Sequence, residues 1–286
     1  MKPQEPNAPQ KKGLREQIRQ NRFAFAVRLV LCIIVIGVGI RNATQGQWES
    51  VLTCILTLIL FLAPDLIERQ LHIKLPTAME VTVFVFIFCA EILGEIACFY
   101  IKYSFWDTTL HTVNGFLFAA FGFCLVDLLN ENQRIKLQLS PIFLAVVSFC
   151  FSMTIGILWE FFEFSVDHTL MKDMQKDTVL TGFQSVMLDE TQRNIPVAVK
   201  DITRTTIETP GETYIIEGYL DIGLTDTMKD LFVNFIGATV FSCIGFVYVK
   251  RRGKHGLAAA FIPVVEPAEE QANGNQSEFD KTKKDS

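Results

Sequence analysis

The chain has 286 residues, of which 50% are hydrophobic and 12% aromatic, and its mean hydropathy is +0.30. This composition is too apolar for an ordinary soluble domain and is typical of a polytopic helical membrane protein. The formal net charge is −5 and no basic, aromatic-rich surface pattern is present, which argues against nucleic-acid binding. All seven cysteines fall inside apolar runs without a C-x-x-C pair, so the sequence predicts neither a disulfide framework nor a thiolate metal site.

Six apolar runs each approach the ~20 residues that a helix needs to cross a bilayer. They lack the alternation of barrel strands, and open sheets cannot cross lipid, so the sequence predicts an all-α polytopic protein. A membrane domain over 23–255 is expected between a basic tail at 1–22 and a disordered polar tail at 256–286. The predicted spans, of which the second is the shortest, are 23–40, 48–63, 79–101, 110–129, 141–160 and 231–249.

Basic residues set the predicted orientation. They concentrate before the first span, in the second and fourth connections and after the last span. The positive-inside rule then places both termini in the cytoplasm and the fifth connection outside, as in a multi-pass protein of the bacterial cytoplasmic membrane. Arg28 lies inside the first span, and we expect its side chain to extend back to the inner interface.

The fifth connection, residues 168–225, is far longer than a packing loop requires. Its second half alternates as strands do and contains Pro210-Gly211 as a turn, so we predict a small β-hairpin that caps the outer helix ends. A solvated loop without a role is the alternative. Residues 160–230 contain fourteen acidic and six basic residues, a balance that concentrates cations. An anionic lipid substrate would then need a bridging metal.

Ionisable residues inside spans are costly, and their default interpretation is a functional site facing the bundle interior. At the start of the fourth span, Asp107, His111 and Asn114 share one helix face. A His and a carboxylate at this spacing can share a metal, or the Asp can orient the imidazole for acid–base work. Alternatively, Asp107 only complements the helix N-terminus and His111 is a hydrogen-bonded interfacial histidine.

The fifth span ends with Glu160, Glu163 and Asp167 on one face. The E-x-x-E pair is an element of di-metal sites but is weakly specific, and a solvated helix end is the alternative. In the third span Glu91 and Glu95 also share a face. We assign Glu91 to a proton relay or a structural pair and Glu95 to the site.

The sixth span begins with Asp226, Asp230 and Asn234 at i, i+4 and i+8. Gly237 continues this stripe, which predicts that the polar face leads into a face where a neighbouring helix approaches closely. Asp226 could serve only as an N-cap, and Asp230 and Asn234 could be structural polar residues.

These patterns together define the predicted site in the outer half of the bundle. The predicted cofactor is a divalent metal cation of unknown identity. The predicted catalytic residues are His111, Glu160, Glu163 and Asp230. The predicted metal ligands are Asp107, His111, Glu160, Glu163, Asp226 and Asp230, with Glu95, Asn114, Asp167 and Asn234 as further members of the polar core.

As an ordered set, three motifs resemble the YjdF-type family of uncharacterised bacterial inner-membrane proteins and, more distantly, the VanZ-like membrane proteins. They are W-D-x-x-L-H-x-x-x-G from Trp106, W-E-x-x-E from Trp159 and D-x-x-x-D-L-x-x-N-x-x-G from Asp226. The resemblance covers roughly 75–250 and implies a shared location and polar core rather than a reaction. VanZ-like members are associated with glycopeptide-antibiotic tolerance, which implies a role in the cell envelope; the long outer insertion departs from their pattern.

The leading hypothesis is therefore a membrane protein whose outward-facing His and carboxylates bind a metal, or act as acid and base, on an amphiphilic envelope substrate. A proton- or cation-coupled transporter is the second hypothesis, although transport sites usually lie near the midplane and the inner halves of these spans are almost purely apolar. A non-catalytic partner protein is the third. The sequence carries no specific catalytic signature, so it does not decide whether the protein is an enzyme, and the oligomeric state is not readable.

Overall fold

The structure is a computed structural model that describes residues 22–71, 73–131, 139–251, 260–261 and 264–265, without the side chains of 127–131 and 264–265. The predicted basic tail up to residue 21 lies outside the described residues. So does most of the predicted polar tail at 256–286.

Among the described residues, six helical stretches are long and apolar enough to cross a membrane, which confirms the predicted all-α polytopic class. The first span is α1 (Arg22–Thr44), and the second runs through α2 (Trp48–Leu60) and α3 (Ala63–Leu71). The third is α4 (Thr77–Phe88), which continues as a π-helix (Cys89–Ile96) and is followed by the short α5 (Phe99–Lys102). The last three are α6 (Trp106–Glu131), α7 (Pro141–Leu170) and α8 (Leu224–Lys250).

The second span is longer than the sequence predicts. Helix α2 is interrupted by a turn at Phe61 and Leu62, and α3 then begins with Pro64 in its first turn, where a proline needs no backbone donor. The span from Trp48 to Leu71 therefore has 24 residues and is long enough to cross. The interruption is packed, because the buried ring of Phe61 lies edge-on to Phe84 at 5.7 Å.

An ion pair lies inside the predicted membrane region where the sequence analysis expected almost purely apolar helices. Arg28 Nη1 donates to Asp65 Oδ2 at 2.7 Å, and the guanidinium lies 5.5 Å from the centre of the Phe84 ring. Arg28 therefore has a carboxylate partner and an aromatic face within the bundle, instead of relying on the interface. The sequence signal for this pair is the arginine within a predicted span, because a charge at that position requires a partner.

We expect Asp65→Asn to lower the free energy of unfolding by about 1–2 kcal/mol, since the hydrogen bond to a charged partner is lost and half-exposed ion pairs are partly screened. Thermal unfolding in detergent of Asp65→Asn, Arg28→Met and the double variant measures the coupling. Additive effects of the two substitutions would show that the pair contributes nothing.

Short antiparallel pairs of strands fill the long connection, as small elements rather than one sheet. The predicted hairpin is confirmed: β5 (Thr205–Thr209) pairs with β6 (Glu212–Ile216) across the Pro210-Gly211 turn, where Gly211 has a φ of +114°. The segment Val197–Val199 is also a strand, but it pairs outside the hairpin. The other pairs are β2 (Val179–Leu180) with β7 (Tyr219–Leu220) and β3 (Phe183–Ser185) with β4 (Val197–Val199).

Asp189 organises the turn between β3 and β4. Its carboxylate accepts hydrogen bonds from the Thr191 hydroxyl at 2.6 Å and from the backbone N–H groups of Thr191, Arg193 and Ile195 at 2.9–3.0 Å. The hydrogen bond from the Thr191 hydroxyl, followed by the backbone donor at Ile195, lowers the pKa of Asp189 to about 2.

The lowered pKa predicts a pH-dependent turn. The carboxylate stabilises the folded turn fully above its ordinary pKa of 3.8, and this contribution is lost as the pH falls towards 2. In carbon-13 NMR, the Asp189 carboxyl should titrate with a midpoint near 2, and the Ile195 amide signal should follow it. Asp189→Asn should remove that pH step; a midpoint near 3.8 would show that these hydrogen bonds are not formed in solution.

Two short stretches of the predicted polar tail, 260–261 and 264–265, lie within the described residues. Phe261 packs against the Phe116 ring with centroids 5.1 Å apart, and β8 (Val264–Val265) pairs antiparallel with β1 (Ile73–Lys74). Apolar side chains in an otherwise polar tail explain this contact, because Phe261 packs against the main apolar core.

By density of internal contacts the chain divides into two units, 1–153 with 234–286 and 154–233. The first contains two apolar cores, one around Phe123 and Phe241 and one around Phe61 and Phe84. The second contains the end of α7, the strand pairs β2 to β7 and the start of α8. Helices α7 and α8 are each continuous through the division.

Candidate functional site

The site is built from the first two turns of α6. Asp107 and His111 are four residues apart, and the helix brings His111 Nε2 to 3.5 Å from Asp107 Oδ1. His111 is buried, and Asp107 is half-buried in the first helical turn, where a carboxylate also complements the helix dipole. A carboxylate at this position orients the imidazole.

Helix α8 packs closely beside this part of α6. Asn114 Nδ2 donates to Asn234 Oδ1 at 3.3 Å, and the approach is so tight that a Cβ added at Gly115 would lie 2.2 Å from the Asn234 carbonyl oxygen. A Cβ at Gly237 would lie 2.0 Å from the Thr112 carbonyl oxygen. The predicted close helix approach at Gly237 is thus present. A Cβ at Gly245, further along α8 than Asn234, would lie 2.9 Å from the ring of Phe123, further along α6 than Gly115, so the two helices run parallel.

His111 lies one turn before Gly115 on α6, and Asp230 lies one turn before Asn234 on α8. Asp230 is only 2% exposed. One ligand atom from each of Asp107, His111 and Asp230 lies within 4.8 Å of the other two. Asp107 and His111 meet because they are four residues apart on one helix.

The donor set fits a divalent cation. One imidazole nitrogen and two carboxylate oxygens are ligands that Zn²⁺ and Mn²⁺ both accept. Metal–ligand distances of about 2.1 Å require donors within roughly 4.2 Å of each other, since two ligands cannot be further apart than twice that distance. The 3.5 Å separation of His111 Nε2 and Asp107 Oδ1 meets this requirement, and a 4.8 Å separation would need an adjustment of under about 1 Å.

Helix α7 carries a second buried polar stripe. Glu160 and Glu163 are 5% and 9% exposed, and the Trp159 indole N–H donates to Glu163 Oε1 at 2.9 Å. These glutamates are therefore not a solvated helix end, which was the alternative in the sequence analysis. Earlier on the same helix, Ser148 and Ser152 are fully buried and donate to the carbonyl oxygens of Ala119 and Gly115 on α6 at 2.5 and 2.7 Å.

The two serines were missed by the sequence analysis. They continue the i, i+4 pattern of Gly156 and Glu160 in the N-terminal direction, so the spacing could have revealed them. Because small hydroxyls are unremarkable inside a span, residue type alone gave no signal. Their hydrogen bonds attach α7 to α6 directly next to the Gly115 contact.

Two other predicted site residues accept hydrogen bonds from the backbone of the long connection. Asp167 accepts backbone N–H groups of Met174 and Gln175 at 2.6 and 2.9 Å, and Asp226 accepts the Lys176 N–H at 2.8 Å. Asp221 performs the same task at the start of α8: its two carboxylate oxygens accept the N–H groups of Thr178 and Thr225, both at 2.9 Å. These aspartates fix where the chain leaves α7 and enters α8.

Glu95 lies in the π-helix that follows α4. There it is exposed, whereas Glu91, on the same π-helix, is half-buried. The wider turn of a π-helix alters which residues share a face, and such segments are frequent at functional sites. The i, i+4 spacing that we used for these two glutamates assumed an α-helix.

Within the described residues, the three-residue group able to bind a metal consists of Asp107, His111 and Asp230. Asn114 and Asn234 border it through their mutual hydrogen bond. The predicted roles of the remaining residues stay predictions; those residues are Glu95, Glu160, Glu163, Asp167 and Asp226.

Six candidate spans within the described residues, several of which carry buried polar side chains, define a polytopic helical membrane protein. Residues 23–251 match the family described as "Predicted membrane protein (DUF2238)". This match covers most of the chain, so the chain belongs to that family, which is the YjdF family predicted from the three motifs.

A relative from Thermotoga maritima, named "Uncharacterized protein", is 27% identical over 128 residues. The matched region is 44% of this chain and 62% of the relative, so it spans less than two thirds of that protein. No solved structure matches the chain.

Proposed function

We propose that the protein binds a divalent cation through Asp107, His111 and Asp230 and uses this centre on an amphiphilic substrate of the cell envelope. The observation that carries the proposal is the meeting of these three side chains, from two helices, inside a predicted membrane protein. Charged groups at membrane depth are costly unless they are paired or bind an ion, and a cation would balance two carboxylates.

In this proposal Asp107 and Asp230 hold the cation and His111 supplies its nitrogen ligand. A bound cation acts as a Lewis acid and lowers the pKa of bound water. The buried Glu160 and Glu163 are proposed acid–base residues, and the hydrogen bond from Trp159 positions Glu163. Elemental analysis of the purified protein tests the metal centre, and a stoichiometric divalent cation is expected.

The site is proposed to face outward in a cytoplasmic membrane, with both termini inside and residues 168–225 outside. The distribution of basic residues in the short connections supports this orientation. The acidic connection then forms the approach to the site and attracts cations. The likeness to VanZ-like proteins supports an envelope role but extends only to the three motifs.

Orientation is tested by cysteine labelling. Thr206→Cys, at an exposed hairpin position, should react with a membrane-impermeant maleimide in intact cells, because the hairpin is proposed to be external. Arg69→Cys, also exposed but in the predicted inner connection, is the matched control and should react only after permeabilisation. The reverse pattern would invert the proposed topology.

A proton- or cation-coupled transporter is the second candidate. The Arg28–Asp65 pair favours it, because it adds a charged centre on a different pair of spans. A transporter would need both the Arg28–Asp65 pair and the proposed cation site, so Asp65→Asn would abolish uptake of its substrate. An enzyme of the proposed kind would retain its metal and activity in that variant.

A further inference from the structure

A cavity of about 210 Å³ lies between the third span and α6, within the first of the two units. It is half open, and its wall is made entirely of apolar atoms. The residues that line it are Thr82, Val85, Phe86, Cys89, Trp106, Thr109, Leu110 and Val113.

The polar atoms of the lining side chains are directed away from the cavity. Thr82 Oγ1 donates to the Ala78 carbonyl and Thr109 Oγ1 to the Phe105 carbonyl, each within its own helix, so the threonine methyls remain for the wall. The Trp106 indole N–H donates to the Cys89 carbonyl at 3.3 Å across the two helices. A site without unsatisfied polar groups is dry and selects an apolar ligand.

Size and surroundings limit what can enter. An apolar cavity of ~150 Å³ holds a benzene-sized molecule, whereas a helix with its side chains is about 10 Å across. The cavity therefore accepts one narrow hydrocarbon group but no helix. Val85, which lines the cavity, is 42% exposed and belongs to the apolar surface of the third span. In a membrane the phase in contact with that surface is lipid hydrocarbon.

The cavity lies beside the proposed metal ligands. Trp106, Leu110 and Val113 form one stripe along the first turns of α6, and Asp107 and His111 form the next, about 100° further round the helix. An apolar chain in the first stripe and a polar group at the second would therefore lie at the same depth. This is the arrangement that an amphiphile requires.

We propose that this cavity binds one acyl chain of a membrane amphiphile and places its polar head at Asp107 and His111. This inference rests on the proposed function for the role of the head group. The chain site itself stands on the cavity alone. This proposal narrows the substrate class to lipids that have one hydrocarbon chain free to enter between the third span and α6.

Brominated stearic acid tests the chain site, because bromine quenches tryptophan fluorescence on contact and Trp106 lines the cavity. The protein has three tryptophans, and titration in detergent should give saturable quenching that Trp106→Phe removes. Val113→Phe, which fills the cavity, should weaken binding by about tenfold or more, equivalent to at least ~1.4 kcal/mol. Val240→Phe adds the same volume at a position 48% exposed on α8 and should leave binding unchanged.

Val85→Phe fills the cavity from an exposed position and replaces Val113→Phe if that variant does not fold. Quenching that never saturates, or that both cavity variants leave unchanged, overturns the chain site. Metal content measured on the same samples separates the two proposals. Saturable quenching without bound metal retains the chain site and refutes the metal centre, and metal without saturable quenching does the reverse.

Discussion

His111→Ala should lower the bound metal from about one cation per chain to a small fraction and should lower the melting temperature at the same time. The substitution removes the nitrogen ligand and leaves Asp107 and Asp230 as the remaining ligands. A ligand that binds only the folded state stabilises it by mass action, by about 2.7 kcal/mol when its concentration is 100 times its dissociation constant. Elemental analysis and thermal unfolding in detergent, with added Zn²⁺ or Mn²⁺, measure both effects.

His168→Ala is the matched control for this experiment. His168 is exposed at the end of α7 and its Nδ1 lies 2.9 Å from the Phe164 carbonyl oxygen, so its loss should change neither metal content nor melting temperature appreciably. A chelator should lower the melting temperature of the wild type to that of His111→Ala. If the purified wild type binds no stoichiometric cation and the chelator leaves its unfolding unchanged, a proton relay through Asp107 and His111 replaces the metal centre.

The helical class and the helix faces of the site could be predicted from the sequence because they depend on local periodicity. Asp107 with His111, and Asp230 with Asn234, follow from a spacing of four residues on one helix. The burial of Glu160, Glu163, Asp230 and Asn234 follows from the cost of placing polar groups in hydrocarbon.

Partners between helices could not be predicted in the same way. Nothing in the sequence states that Asp65 meets Arg28, because the two residues are 37 positions apart and either charge could have been placed at an interface. Likewise, the spacing of Asp226 and Asp167 does not reveal that their oxygens accept backbone N–H groups of the long connection. Those donors belong to a segment whose path depends on tertiary structure.

The π-helix at Cys89–Ile96 shows a different limit. Its residues carry the composition of an ordinary apolar helix, and the wider turn occurs where the following residue Cys98 adopts a left-handed conformation with φ of 59°. A Cβ at Gly94 would lie 2.3 Å from the Tyr100 ring, so this glycine is required for the tight return of the chain. The shared face of Glu91 and Glu95 was predicted from α-helical spacing, whereas both residues lie in the π-helix.

The close packing of α6 and α8 leads to the second large effect: Gly237→Ala should destabilise the protein by about 3 kcal/mol and should also reduce metal binding. The added Cβ would lie 2.0 Å from the Thr112 carbonyl oxygen, and because both are attached to helix backbones the helices must separate. Separation moves Asp230 away from Asp107 and His111, since Asp230 lies two turns before Gly237 on the same helix.

Gly37→Ala is the matched control, because a Cβ there meets no atom within 4 Å and alanine favours a helix over glycine by about 0.5–1 kcal/mol. Thermal unfolding should therefore show a lower stability for Gly237→Ala and an unchanged or slightly higher stability for Gly37→Ala. Metal analysis should show a loss only in Gly237→Ala. A Gly237→Ala protein as stable and as metal-loaded as the wild type would show that α6 and α8 do not pack this closely.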